Sequence, residues 1–254
     1  METIKSIRFI QLQRQFVVLM ILSFVSLSTF SDSARYTITE WSPYWIIESG
    51  KVSGILNDIM LQLDKHTDIT LEAGKPVPVK RAKRQFKAGE AQIECCINKA
   101  WRPSPEQREV SLWTDTVLSV EEVLIFPHKG VFEFNTLEDL EGKLIATIRG
   151  YGYVGSEYFR RSDSNDNISQ ITKVGLGRGD AGIIDRIELA HILKNSAALN
   201  ERNIKIEEGP IINRSELKMR VHISRPELIQ SINVAIAKMK QEGTITRIIN
   251  SYIK

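Results

Sequence analysis

The chain has 254 residues, 42% of them hydrophobic, 26% charged and 7% aromatic, an ordinary globular composition that excludes collagen-like, disordered and disulfide-scaffold classes. Lys and Arg number 34 against 31 Asp and Glu, a formal charge of +3, too small for a dedicated nucleic-acid binder unless it is concentrated in one patch. Only one long apolar run occurs, near the N-terminus, which excludes a multi-span membrane protein.

In that run Lys5, Arg8 and Arg14 precede the uncharged stretch FVVLMILSFVSLSTF at residues 16–30, and small residues follow at Ser31, Ser33 and Ala34. This is the layout of a cleavable secretory signal peptide, expected at residues 1–34. Its apolar part reaches roughly 22 Å as a helix, short of the ~30 Å core that a stable span must cross. Asp32 is awkward beside the cut, which falls between residues 31 and 34; cleavage after Ala34 leaves 220 residues with a net charge of +2. The expected compartment is therefore the periplasm, without a lipid anchor, since no Cys lies near the cut.

Along the mature chain, residues 35–40 alternate and run into the aromatic, proline-broken stretch Trp41-Ser42-Pro43-Tyr44-Trp45. Ile55, Ile59, Met60 and Leu63 lie at helical spacing after Gly54. Extended chain through Pro76 and Pro78 precedes a basic helix over residues 79–88, and residues 92–98 alternate again with Ile93, Cys95 and Ile97 on one face. Strand, helix, strand, helix, strand predicts a mainly parallel α/β sheet.

A long apolar strand is expected at residues 120–126, then a second α/β unit: a helical turn at 137–140, a strand at 143–148, a helix from about Val154 opened by Gly150-Tyr151-Gly152, a polar loop at 162–167 and a short extended piece at 171–174. Residues 181–184 read as a buried strand entering a helix at 186–194. Residues 204–206 and 219–223 frame a return segment. Pro226 starts a helix with Leu228, Ile232, Ile236 and Met239 on one side, broken at Gly243 before a last amphipathic turn.

The adjacent Cys95 and Cys96 are expected to be unpaired and buried, because a trans peptide holds neighbouring Cα atoms 3.8 Å apart, below the usual disulfide range. Four scattered histidines have no metal-ligand spacing, so no metal and no cofactor are expected. The basic run at residues 75–87 reads as a solvated helix face on a buried Ala82 and Phe86 stripe. Asn167-Ile168-Ser169 and Asn213-Arg214-Ser215 match the short glycosylation tripeptide. Neither GxSxG nor HExxH occurs.

Ligands of open α/β sheets sit beyond the carboxyl ends of strands. Trp41 and Tyr44, Asn98 and Arg102, Gly150, Tyr151 and Gly152, and Asp185 all follow expected strands. An Arg fork suits a carboxylate, a helix N-terminus suits an anion and Asp pairs an ammonium. Together they suit a small zwitterion such as an amino acid; singly, Trp41 and Tyr44 fit a core equally well, and Asp185 fits a helix cap.

The order and spacing of several motifs resemble the family 3 extracellular solute-binding proteins. These are Trp41-Ser42-Pro43-Tyr44 with Gly54-Ile55-Leu56-Asn57-Asp58-Ile59, the helix and Gly of residues 81–89, Leu140-Glu141-Gly142-Lys143 through Arg149-Gly150, Gly179-Asp180-Ala181-Gly182-Ile183-Ile184-Asp185, and the tail at 226–252. The resemblance implies a type II periplasmic-binding-protein fold: two α/β lobes, residues 35–121 plus 217–254 and residues 122–216, joined by two crossing hinge strands around a cleft. It implies a monomer that closes on a small polar ligand, uses no nucleic acid and presents itself to a membrane transporter or sensor. Gly150 to Gly152 would offer backbone N–H groups, Asp185 would hold the ligand amine, and Trp41 and Tyr44 would stack on it. The carboxylate clamp departs from the family pattern, with Gln107 at its usual spacing; Arg102 or Arg108 takes the role, and Arg102 directly follows the strand end. The same fold serves cyclohexadienyl dehydratase, so an enzyme with Glu157 or Asp185 as proton-transfer group is the alternative.

Overall fold

The computed structural model describes residues 32–254. The expected signal peptide lies outside the described residues up to position 31. Ala34 is 1% exposed in the core, so a cut after it would remove a core side chain.

β1 (Ser33–Ile38) ends at the aromatic turn, and a small hairpin of β2 (Ile46–Glu48) and β3 (Lys51–Ser53) leads into α1 (Ile55–Asp64), whose Ile55, Leu56, Ile59, Met60 and Leu63 are buried. β4 (Thr70–Pro76), α2 (Val79–Lys87) and β5 (Ile93–Ile97) follow. Ala82 and Phe86 form the buried stripe of α2, as their spacing predicts. All five residues of β5 are buried, rather than one face alone, because β5 lies between β1 and a return strand and is covered on both sides.

After the short α3 (Pro105–Arg108) comes β6 (Ser111–Pro127), 17 residues long and far longer than the apolar run at its end suggests. β7 (Leu144–Ile148) and β8 (Arg160–Ser164) are parallel neighbours. Three expectations from the sequence are corrected in this region, the first being the polar loop at 162–167, of which residues 162–164 belong to β8. No helix begins near Val154, where turns lead into β8, and residues 171–174 are helical, within α4 (Asn167–Gly175). Asp166 supplies the missed start signal, its side chain accepting from the Ser169 N–H at 2.7 Å, and Ile171 and Val174, three apart, form the buried face.

β9 (Ala181–Asp185) enters α5 (Arg186–Asn195) directly, α6 (Ala197–Glu201) follows, and β10 (Ile206–His222) is again 17 residues long. α7 (Leu228–Gln241) and α8 (Thr244–Ile253) close the chain around Gly243, whose φ of +68° suits glycine.

The main sheet has the order β4-β1-β5-β10-β6-β9-β7-β8. The β1–β4, β1–β5, β7–β8 and β7–β9 pairs are parallel, but β10 runs antiparallel to both β5 and β6, so the sheet is mixed rather than mainly parallel. β6 and β10 pair from Ser111 with His222 to Pro127 with Ile206. One buried cluster gathers residues 34–120 and 217–245; two others gather residues 123–199. The long strands are common to all of them.

Cys95 and Cys96 are joined by a disulfide, which corrects the expectation of free thiols. The peptide between them is cis and their Cα atoms are 3.0 Å apart, so the trans spacing on which that expectation rested does not apply.

Candidate functional site

The turn after β1 is a tight local structure. Trp41 and Trp45 exchange backbone hydrogen bonds of 3.0 and 2.8 Å around a cis Ser42–Pro43 bond. The first turn of α1 then uses two of its otherwise unpartnered N–H groups on this turn, Ile55 donating to the Pro43 carbonyl at 3.0 Å and Leu56 to the Tyr44 carbonyl at 2.9 Å. Gly54 is required at that junction: its φ is +112°, and a Cβ there would lie 2.5 Å from the Tyr44 carbonyl oxygen. Trp45 is fully buried, its indole N–H on the Cys95 carbonyl at 3.1 Å, while the Trp41 and Tyr44 rings lie tilted at 31° with centres 4.0 Å apart. Trp101 meets Trp41 edge-on at 5.8 Å.

These two aromatics reach residues far along the chain. The Tyr44 hydroxyl donates to Asp185 Oδ1 at 2.9 Å, and the Trp41 indole N–H donates to Glu188 Oε1 at 2.5 Å. Asp185 ends β9 and caps α5, accepting from the Glu188 N–H at 2.9 Å, so the bland cap role and the site role belong to the same side chain. Its other oxygen, Oδ2, is buried and has no hydrogen-bond partner. Glu188 is 5% exposed and also accepts from the Asn167 side-chain amide. Glu122 stands opposite Asp185 in the β6–β9 register and accepts from Asn213 Nδ2 at 2.7 Å.

Burial holds all three carboxyls above the ordinary range. Glu188 is pushed up to about 8 by burial and then by the charge of Asp185, and Asp185 to about 6 by burial, opposed by the Glu188 N–H, the Tyr44 hydroxyl and the Ile187 N–H. Burial raises Glu122 as well. Among the described residues no Lys or Arg nitrogen lies within 4 Å of Asp185 or Glu188; the nearby Arg186 pairs instead with Glu121 and with Glu208.

The loop after β7 approaches the same place. Gly150 has φ +84°, and a Cβ on Gly150 or Gly152 would meet nothing within 4 Å, so the loop is open on that side. Its shape is fixed from behind. The Ile148 N–H donates to the Tyr153 hydroxyl at 2.9 Å, and Arg161 donates to the carbonyls of Ile148 at 3.0 Å and Tyr151 at 2.9 Å. Tyr151 is half exposed, and its phenol is raised by burial first and by the charge of Glu188 second. No helix starts at this loop, so its N–H groups act without a helix dipole behind them.

The other expected site residues do not join this group. Arg102 is buried on Glu94: its Nε donates to Oε2 at 3.2 Å, a second nitrogen bonds Oε1, and Nη1 donates to the Trp101 carbonyl at 2.9 Å. Asn98 caps the turn at Lys99–Trp101, accepting from the Ala100 N–H at 2.8 Å. Arg108 and Glu157 are exposed. Glu188, Asn167 and Glu122 are members of this candidate group that sequence reasoning missed. The signal available for Glu188 was an acid three residues after Asp185 in a first helical turn, and the signal for Asn167 was obscured by its reading as a glycosylation tripeptide.

The mixed sheet with two long shared strands, and a polar site at the ends of β1, β7 and β9, define a solute-binding protein of the two-lobed type II fold. The model of the bacterial extracellular solute-binding proteins, family 3, matches residues 36–254, and the chain belongs to that family. It is 22% identical to the L-cystine-binding protein TcyJ of Escherichia coli K12 over 206 residues, 78% of this chain and 73% of that protein. The unliganded, open L-cystine solute receptor of Neisseria gonorrhoeae superposes with a TM-score of 0.67 at 15% identity, covering 88% of this chain and 94% of that one. The VFT2 domain of Bordetella pertussis BvgS gives a TM-score of 0.67 at 14% identity, covering 87% and 93%. At these identities the two structures speak for the fold alone.

Proposed function

We propose that this chain is a periplasmic receptor that takes up a small polar, amine-bearing solute, an amino acid or a related compound, and passes it to an ABC transporter in the membrane. It acts as a monomer, with its lobes dividing at residues 121/122 and 216/217; the gathering of buried residues 34–120 with 217–245, and of 123–199 in other clusters, supports that division. Solute enters when the lobes part, and it favours closure because it touches groups from both lobes at once. The single observation that carries this reading is the pairing of Trp41 and Tyr44 with Glu188 and Asp185, from opposite sides of the division. The relative TcyJ, an L-cystine-binding protein, supports the amino-acid side of the reading.

The test is a thermal-shift screen of amino acids, polyamines and small carboxylates against the purified mature protein. A ligand at a hundred times its dissociation constant stabilises by about 2.7 kcal/mol, a shift of several degrees. Asp185→Ala should abolish the response to any amine found. A flat screen overturns the receptor reading.

A second reading, an enzyme of the cyclohexadienyl dehydratase type, draws on the raised Asp185 carboxyl, a group suited to proton transfer near neutrality. Turnover of prephenate or arogenate separates it from the first.

A further inference from the structure

We propose that the site selects an organic cation, an amine or a guanidine, and makes no use of a ligand α-carboxylate. The proposal rests on the receptor reading above and narrows its ligand class.

Four features of the site support it. The site gathers acids: Asp185 and Glu188 share the first turn of α5 and Glu122 stands opposite Asp185 in the β6–β9 register, all buried or half-buried, with hydrogen bonds from Tyr44, Trp41, Asn167 and Asn213 as their side-chain partners. A neutral zwitterion brings no net charge to offset them, whereas a cation offsets them directly. Asp185 Oδ2, buried and without a partner, is the acceptor position that an ammonium or guanidinium N–H would fill.

The second feature is that the arginines nearest the site, and the preferred clamp Arg102, are already engaged. Arg102 is held in both its fork positions by Glu94, Arg186 by Glu121 and Glu208, and Arg161 by Asp163 and by the carbonyls of the β7 loop. Arg149, beside Gly150, is exposed, and its charge acts on Asp163. A carboxylate laid against the backbone of residues 150–152 would therefore bring a further acid towards a group of three, with no cation of the chain beside it.

Third, the walls suit a cation. The half-buried Trp41, the edge-on Trp101 and the half-exposed Tyr151 near Glu188 place aromatic rings beside the carboxyls, and a cation is attracted to such rings. Fourth, among the described residues no three His, Cys, Asp or Glu side chains are placed to hold a metal ion, so the cation is an organic one.

The decisive experiment uses matched pairs that differ only in the α-carboxylate: agmatine against L-arginine, and cadaverine against L-lysine. Each is titrated into the mature protein by calorimetry at pH 7.5. The expected result is that at least one decarboxylated member binds about ten-fold tighter than its parent, or more, the size of effect that one charge-assisted hydrogen bond or the removal of one like-charge repulsion produces. Glu188→Gln and Asp185→Asn, which keep shape and folding, should each weaken that binding by about ten-fold or more; unchanged affinity in both overturns the proposal. If the parent amino acid binds as tightly or tighter, the proposal is overturned while the receptor reading stands. If neither pair binds, the proposal is again overturned, and the wider screen alone decides the receptor reading.

Discussion

Two buried clusters of charge lie in this molecule and are built on opposite principles. In the first, Glu94 on β5 is held by Arg102 and by the fully buried Arg220 of β10, whose Nη1 reaches Oε2 at 2.8 Å; Arg220 also donates to Ser111 Oγ at 2.6 Å and to the Gln107 carbonyl and side chain at 2.9 and 2.8 Å, and lies 3.8 Å over the Phe86 ring. Every charge there has its partner inside the chain. In the second, Asp185, Glu188 and Glu122 have hydrogen-bond donors, but among the described residues no Lys or Arg nitrogen lies within 4 Å of the first two, and one carboxylate oxygen has no partner. The first is a closed structural clasp. The second is complete only when something positive is added. Burial alone therefore says little about the role of a charged group; the difference lies in whether the chain itself supplies the countercharge.

The comparison breaks most visibly at Arg220. Arg220→Ala leaves Glu94 with Arg102 alone and exposes three former acceptors to an apolar gap, so urea denaturation should show a loss of about 3–5 kcal/mol. A loss under about 1 kcal/mol would mean that the clasp is not structural.

Glu188→Gln should act in the opposite direction. An acid whose titration is raised on folding holds its proton more tightly folded than unfolded, so stability falls as pH climbs from 4.5, the ordinary value, towards about 8. The glutamine variant is free of that fall. It should match the parent near pH 4.5 and exceed it at pH 8.5 by on the order of 2 kcal/mol, read as a difference in Tm between the two pH values. Equal pH profiles would show Glu188 to be compensated after all. The smallest expected effect is that of Tyr44→Phe, which removes one donor from Asp185 and should cost about 1 kcal/mol without ligand.

Much of the framework was legible because local spacing encodes which face of an element is buried. The stripe of α1, the Ala82 and Phe86 stripe of α2 and the four apolar positions of α7 needed no tertiary information. The region after Gly150 was misread for a local reason. Its start signal is the Asp166 cap, and the glycine loop before it looks like a helix opening but is a turn tied down by Arg161, a residue ten positions away from Tyr151. The length of β6 and β10 was hidden because the polar half of β10 pairs with the apolar end of β6, and a backbone ladder can hold it as a strand without an apolar pattern of its own. The disulfide was missed because peptide geometry at residues 95 and 96 is not a property of spacing.

In the site, Trp41, Tyr44, the glycine loop and Asp185 were visible as polar or aromatic residues at strand ends. Arg102 and Asn98 share that position in the sequence and yet serve other partners. The sequence by itself thus determined most of the element types and their order outside residues 154–174, and the family to which the chain belongs. Only the tertiary structure decided which charges neutralise one another, because such pairing depends on sheet order and register rather than on spacing. Arg220 lies 126 residues from Glu94, and Trp41 lies 147 residues from Glu188.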